Sequence, residues 1–177
     1  PLRGIWGTSS SDVFAVGGWT SDVLHYDGIS WTPMYTSSGQ FPNRVYDVWG
    51  SSSSNVFAVG DDPNLQDGMI MHYDGQSWTL MLRDQTTTGF EDVWGSSPND
   101  VFAVGDGGMV AHWDGTVWTS MRRAGDWLKG VWGSSANDIF AVGGSGTIVH
   151  CDGYSWMPMS SGTNYLLQDV WGSSAAD

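Results

Sequence analysis

The apolar positions of this chain come in short runs that repeat. Ile139-Phe140-Ala141-Val142-Gly143 is apolar throughout, and residues 13–17, 56–60 and 101–105 carry an equivalent run. Five apolar residues between polar turns are what a strand covered on both faces requires. The surroundings are constant as well. Upstream, residues 128–132 read as a strand leading into Gly133 and the polar turn 134–138, and downstream Thr147-Ile148-Val149-His150-Cys151 reads as a third strand, stopped by Asp152-Gly153. Asp-Gly is a preferred dipeptide of tight hairpin turns, and a fourth strand follows in residues 155–159. The four strands are named A to D in this order.

A Trp-Gly phrase opens each unit, at Trp6, Trp49, Trp94, Trp132 and Trp171, with intervals of 43, 45, 38 and 39 residues. Four short antiparallel strands per repeat of about 40 residues define a propeller blade, whereas stacked helical pairs would show a 3.6-residue period. The sequence therefore predicts an all-β fold, a β-propeller of four-stranded antiparallel blades. Four complete blades fall at about 2–34, 45–81, 90–121 and 128–159, and a fifth begins with its first strand at 166–177. The whole of 1–177 is then one propeller domain or a piece of one. A lone blade has two apolar faces and can bury neither, so the five tryptophans are assigned to contacts between blades. A fifth strand A with no B to D strands to join implies additional blades or self-association, since an open blade edge favours pairing.

Composition narrows the function classes. The 177 residues include 25 glycines and 12 tryptophans, against six lysines and arginines and 19 acidic residues, for a formal charge of −13 and a pI near 4.2. Nucleic-acid binding needs a surface rich in Lys and Arg, which this chain lacks. No apolar run of about 18 residues provides for membrane insertion, and residues 1–20 carry no basic and apolar leader, so export would be encoded elsewhere. The single cysteine, Cys151, excludes an internal disulfide framework.

The repeated phrases carry a family resemblance. Gly17-Gly18, Tyr26-Asp27 and Trp31 resemble the double glycine, tyrosine and tryptophan of kelch repeats, and Asp27-Gly28-Ile29-Ser30-Trp31 resembles a shortened Asp-box. Overall the chain is similar to bacterial propeller arrays built on WGSS, DVFAVG and HYDG-SWT phrases. It departs from the pattern at Gly60-Asp61 and Gly105-Asp106, where the double glycine is lost, and at Cys151, which replaces an aromatic residue. These families include sugar-binding lectins, protein-binding modules and some glycosidases. The resemblance implies a binding propeller at the cell surface or outside the cell.

Length variation separates the two sides of the blades. The A–B turns keep one spacing and the C–D turns are uniformly Asp-Gly, whereas the B–C and D–A connections vary. Variable loops on a rigid scaffold are where binding residues collect. The candidate ligand residues on this side are Trp19, Arg44, Arg83, Arg122, Arg123, Trp127 and Tyr165. Arginine donors beside aromatic platforms suit an anionic or polyhydroxylated ligand. The bland alternative is solvated loop ends whose stems cover apolar surface. All five arginines and Lys129 are placed in strand A or the connection before it.

Other motifs are weaker. His25, His72, His112 and His150 share one position in strand C, and equivalent positions of successive blades diverge, so they are read as structural. Their expected partner is a turn serine or Asp12, Asp100 or Asp138. In the blade-two insert 61–68, Asp61, Asp62, Asn64 and Asp67 cluster hard oxygen ligands, a candidate calcium site without the downstream glutamate of an EF-hand; no other cofactor is indicated. No Ser-His-Asp or Cys-His arrangement stands out, and Glu91 is the only glutamate. The reading is a noncatalytic binding or assembly module for a carbohydrate or a protein. Its rivals are a glycoside hydrolase or sialidase-like propeller using Arg44, Arg83 and Arg122, and a purely structural array.

Overall fold

The computed structural model describes residues 1–17, 22–34, 44–122 and 126–174, without the side chains of residues 22, 121 and 122. Blade 1 consists of β1 (Leu2–Ser9), β2 (Asp12–Gly17), β3 (Asp22–Tyr26) and β4 (Trp31–Pro33). Blade 2 consists of β5 (Arg44–Ser52), β6 (Asn55–Asp62), β7 (Asp67–Tyr73) and β8 (Trp78–Asp84). Blade 3 has β9 (Phe90–Ser97), β10 (Asp100–Gly105), β11 (Met109–Trp113) and β12 (Trp118–Arg122). Blade 4 has β13 (Leu128–Ser135), β14 (Asp138–Gly143), β15 (Ile148–Cys151) and β16 (Trp156–Met159). Each blade is one sheet with its strands in chain order. Two compact units result, Pro1–Phe90 and Glu91–Asp177. Among the described residues no helix is long and apolar enough to cross a membrane.

The apolar runs do what their pattern requires. In the first unit Phe14, Val16 and Val23 of blade 1 are buried against Val45, Val48, Val56, Ala58 and Met71 of blade 2. In the second, Phe102, Val104 and Val110 of blade 3 meet Leu128, Val131, Ile139 and Ala141 of blade 4. Within each unit, strands A and B of the second blade thus close over strands B and C of the first. Of the tryptophans of the repeated phrase, Trp6, Trp49, Trp94 and Trp132 are half-buried, and Trp6 and Trp94 act at these joints. A Cβ on Gly50 would lie 2.7 Å from the Trp6 ring, and one on Gly133 would lie 2.6 Å from the Trp94 ring. Trp6 and Trp94 therefore rest on the glycine of the next blade's own phrase, where no other residue leaves room.

Three expectations change. Residues 166–172, read as the opening strand of a fifth blade, join no sheet, and Trp171 is 77% exposed. The segment still lies where a next strand A would, because Asp169 covers Gly130 of blade 4 as Asp47 covers Gly4 of blade 1. The insert 61–68 is mostly an extension of the β6–β7 hairpin, with Asp61 opposite Gly68 and Asp62 opposite Asp67. Arg83 and Arg122 belong to strand D, since β8 and β12 run on to Asp84 and Arg122. Their cross-strand pairing with β7 and β11 outlasts the apolar pattern used to end them.

Candidate functional site

On the side of the A–B and C–D turns, each strand-C histidine binds the residue that opens strand B. His25 Nε2 lies 2.7 Å from Asp12 Oδ1, His112 Nε2 2.7 Å from Asp100 Oδ1 and His150 Nε2 2.8 Å from Asp138 Oδ1. In blade 2 the acceptor is the amide oxygen of Asn55, 2.5 Å from His72 Nε2. A turn hydroxyl completes each set: Thr8, Ser96 and Ser134 donate to the carboxylates, and Asn55 Nδ2 donates to Ser51. Every imidazole also packs on a strand-B phenylalanine, at ring separations from 4.3 Å in blade 3 to 4.8 Å in blade 2. Burial pushes the Asp100 carboxyl up, but the hydrogen bonds from His112 and Ser96 outweigh it and leave it below the ordinary range. Each histidine is committed within its own blade.

The Asp-Gly turns on the same side bind their own backbone. Asp114 Oδ1 accepts from the Thr116 hydroxyl and from the N–H groups of Thr116 and Val117. These donors hold its carboxyl at about 2. Gly115 follows at φ 91°, a conformation that favours glycine.

On the side of the B–C and D–A connections, the first unit uses its arginines internally. Arg44 Nε and Nη2 reach the two oxygens of Asp61 at 2.9 and 2.6 Å, and the Tyr46 hydroxyl donates to Asp61 Oδ2 at 3.3 Å. Arg44 and Asp61 are direct cross-strand partners, so the pairing is built into the β5–β6 register. The Arg3 guanidinium lies 4.6 Å above the Tyr46 ring, and Arg83 Nε lies 3.8 Å from Asp67 Oδ2. Of the calcium candidates, Asp61 and Asp67 face arginines, while Asp62 caps the turn through the N–H of Asn64 at 3.0 Å. Among the described residues no group of three or more His, Cys, Asp or Glu side chains is arranged to hold a metal ion.

The second unit presents Trp127 and Tyr165, 41% and 83% exposed. Trp127 is fixed from several directions. Its N–H donates to Asp126 Oδ1 at 2.8 Å, its carbonyl accepts from the Gly144 N–H at 2.7 Å, and Lys129 Nζ sits 4.6 Å over its ring. Lys129 is in turn paired with Glu91 at 2.7 Å. Trp19 and Arg123 lie outside the described residues, as does the side chain of Arg122. Sequence reasoning missed the Lys129–Glu91 support of Trp127 and a cavity beside Cys151. The readable signal for the cavity was the loss of the aromatic at that one position.

Fold and geometry together define a β-propeller of four-stranded blades. No protein-family model and no curated protein sequence matches the chain. Among solved structures it is similar to YCF48 from Cyanidioschyzon merolae, with a TM-score of 0.65 at 16% identity, over 89% of this chain and 55% of that one. The chain thus spans about half the length of that protein. Another similar structure, described as YCF48 bound to D1 peptide, gives a TM-score of 0.45 at 12% identity over 98% of this chain and 73% of that one. At such identities the likeness concerns the fold.

Proposed function

We propose that this chain is a noncatalytic binding module, related to the kelch-like and Asp-box-like arrays whose phrases it carries. It takes a polypeptide partner on the side of the B–C and D–A connections and holds no resident metal ion. Trp127 carries the reading. An exposed tryptophan held by a cation over its ring and by backbone hydrogen bonds at both its N–H and its carbonyl offers a large contact area whose ordering cost is met before binding. Tryptophan is the residue most enriched among anchors that dominate protein interfaces. The competing anionic-ligand and sialidase-like readings need arginines aimed outward, whereas Arg44 and Arg83 face Asp61 and Asp67.

Selection from a random peptide-display library, run beside a glycan array and a panel of chromogenic glycosides, tests this. Selected peptides are expected to lose about 30-fold in affinity on Trp127→Ala at unchanged melting temperature, the size of an interface anchor. Peptides indifferent to Trp127→Ala would overturn the site. Glycan binding that depends on Trp127 would replace the polypeptide by a carbohydrate, and glycoside turnover would make the chain an enzyme.

A further inference from the structure

The side of the A–B and C–D turns is uniform in sequence length but holds one defect. Strand C ends on Tyr26, Tyr73, Trp113 and Cys151 in blades 1 to 4. The first three rings pack at a tilt against the strand-D tryptophan of their own blade, with ring centroids 5.3 Å apart for Tyr26–Trp31 and Tyr73–Trp78 and 5.9 Å for Trp113–Trp118. In the first unit the Tyr73 ring also lies 5.8 Å from Phe14 of the preceding blade, so it plugs the joint between the two blades. At the matching joint of the second unit Cys151 brings no ring. Trp156 turns its edge to Phe102 instead, at 6.2 Å and 69°, and a cavity of about 310 Å³ remains, lined by Phe102, His112, Cys151 and Trp156 with Asp100 and Asn137 on its polar side. Phe102 is 6% exposed where its counterpart Phe14 is 1% exposed.

We propose that this cavity is a binding site for one phenol or indole ring, which takes the place that Tyr73 fills in the first unit. Size and polarity agree. An apolar cavity of about 150 Å³ holds a benzene ring, so the space here admits a substituted single ring or an indole. The flanking rings supply aromatic contacts. Asp100 uses one oxygen for His112 and the other for Ser96, and a carboxylate has about four acceptor positions, which leaves capacity for the O–H or N–H of the ligand. The site lies on the opposite side from Trp127 and stands apart from the function proposed above.

Titration of the chain with p-cresol, indole, N-acetyltyrosinamide and cyclohexanol, followed by ligand-observed NMR, tests the assignment. Saturable binding of the aromatic compounds is expected, with cyclohexanol at least about tenfold weaker, and bound ring should slow alkylation of Cys151 by iodoacetamide. Cys151→Tyr, the residue of blades 1 and 2, should abolish binding and raise the melting temperature, while Cys151→Ala should retain binding if the tyrosine variant fails to fold. Tighter binding of N-acetyltyrosinamide than of p-cresol would show a ring delivered on a polypeptide, and the reverse order a free small molecule. No saturable binding, equal binding of cyclohexanol, or binding that persists in a folded Cys151→Tyr chain would overturn the site.

Discussion

A single atom distinguishes His72 from the other three strand-C histidines, because its acceptor is the amide oxygen of Asn55 where they have a carboxylate. Burial pushes the His72 imidazole below its ordinary 6.5, with Asp74 opposing less strongly. A group depressed in this way contributes its full stability above 6.5 and loses it as the pH falls below that value. The carboxyls of Asp12, Asp100 and Asp138 are also held below their ordinary 3.8, so their contribution is lost only in stronger acid. Acid should therefore loosen blade 2 first. Asn55→Asp should raise the His72 midpoint in an NMR titration and shift the first loss of stability to lower pH; an unmoved midpoint would show that the amide is not what sets it. The histidine partners were legible because separations of 12 or 13 residues recur in three blades. Asp61 as the partner of Arg44 was not legible, because that bond depends on the one extended register of β5 and β6.

The Trp-Gly phrase falls in the later half of strand A in blades 1 to 4, yet the tryptophans of the phrase are not equivalent in what they contact. Trp94 rests on Gly133 of the following blade, and Trp171 stands mostly in solvent. Trp94→Ala should cost about 3 kcal/mol in denaturant unfolding, the low end for removing a large core side chain because the ring is half-buried. Trp171→Ala should stay within about 0.5 kcal/mol, as surface changes do. Equal losses at the two positions would refute the joint assigned to Trp94. Strand identity was readable from the apolar runs, whereas strand ends were not. Strands β6 and β8 run past their apolar pattern through Asp62 and Asp84, since ladder hydrogen bonds extend a hairpin without needing apolar side chains.

The chain as a whole carries a formal charge of −13. Surface charges of one sign repel across the folded molecule, and salt screens them over a Debye length that shrinks from about 30 Å at 0.01 M to about 8 Å at 0.15 M. Melting temperature should rise over that range, measured by calorimetry in sodium chloride. A fall would mean that attractive pairs such as Arg44–Asp61 outweigh the repulsion. At this scale the repeat was legible because each blade announces itself with the same phrase. The ligand side was less so, since an exposed, clamped tryptophan and a solvated one look alike in sequence. The Trp-to-Gly joint also bears on how such a chain changes over generations. Both halves of the joint, Trp6 with Gly50 and Trp94 with Gly133, belong to the same short phrase. Copying or deleting one whole repeat in phase therefore recreates a sound joint without any compensating mutation.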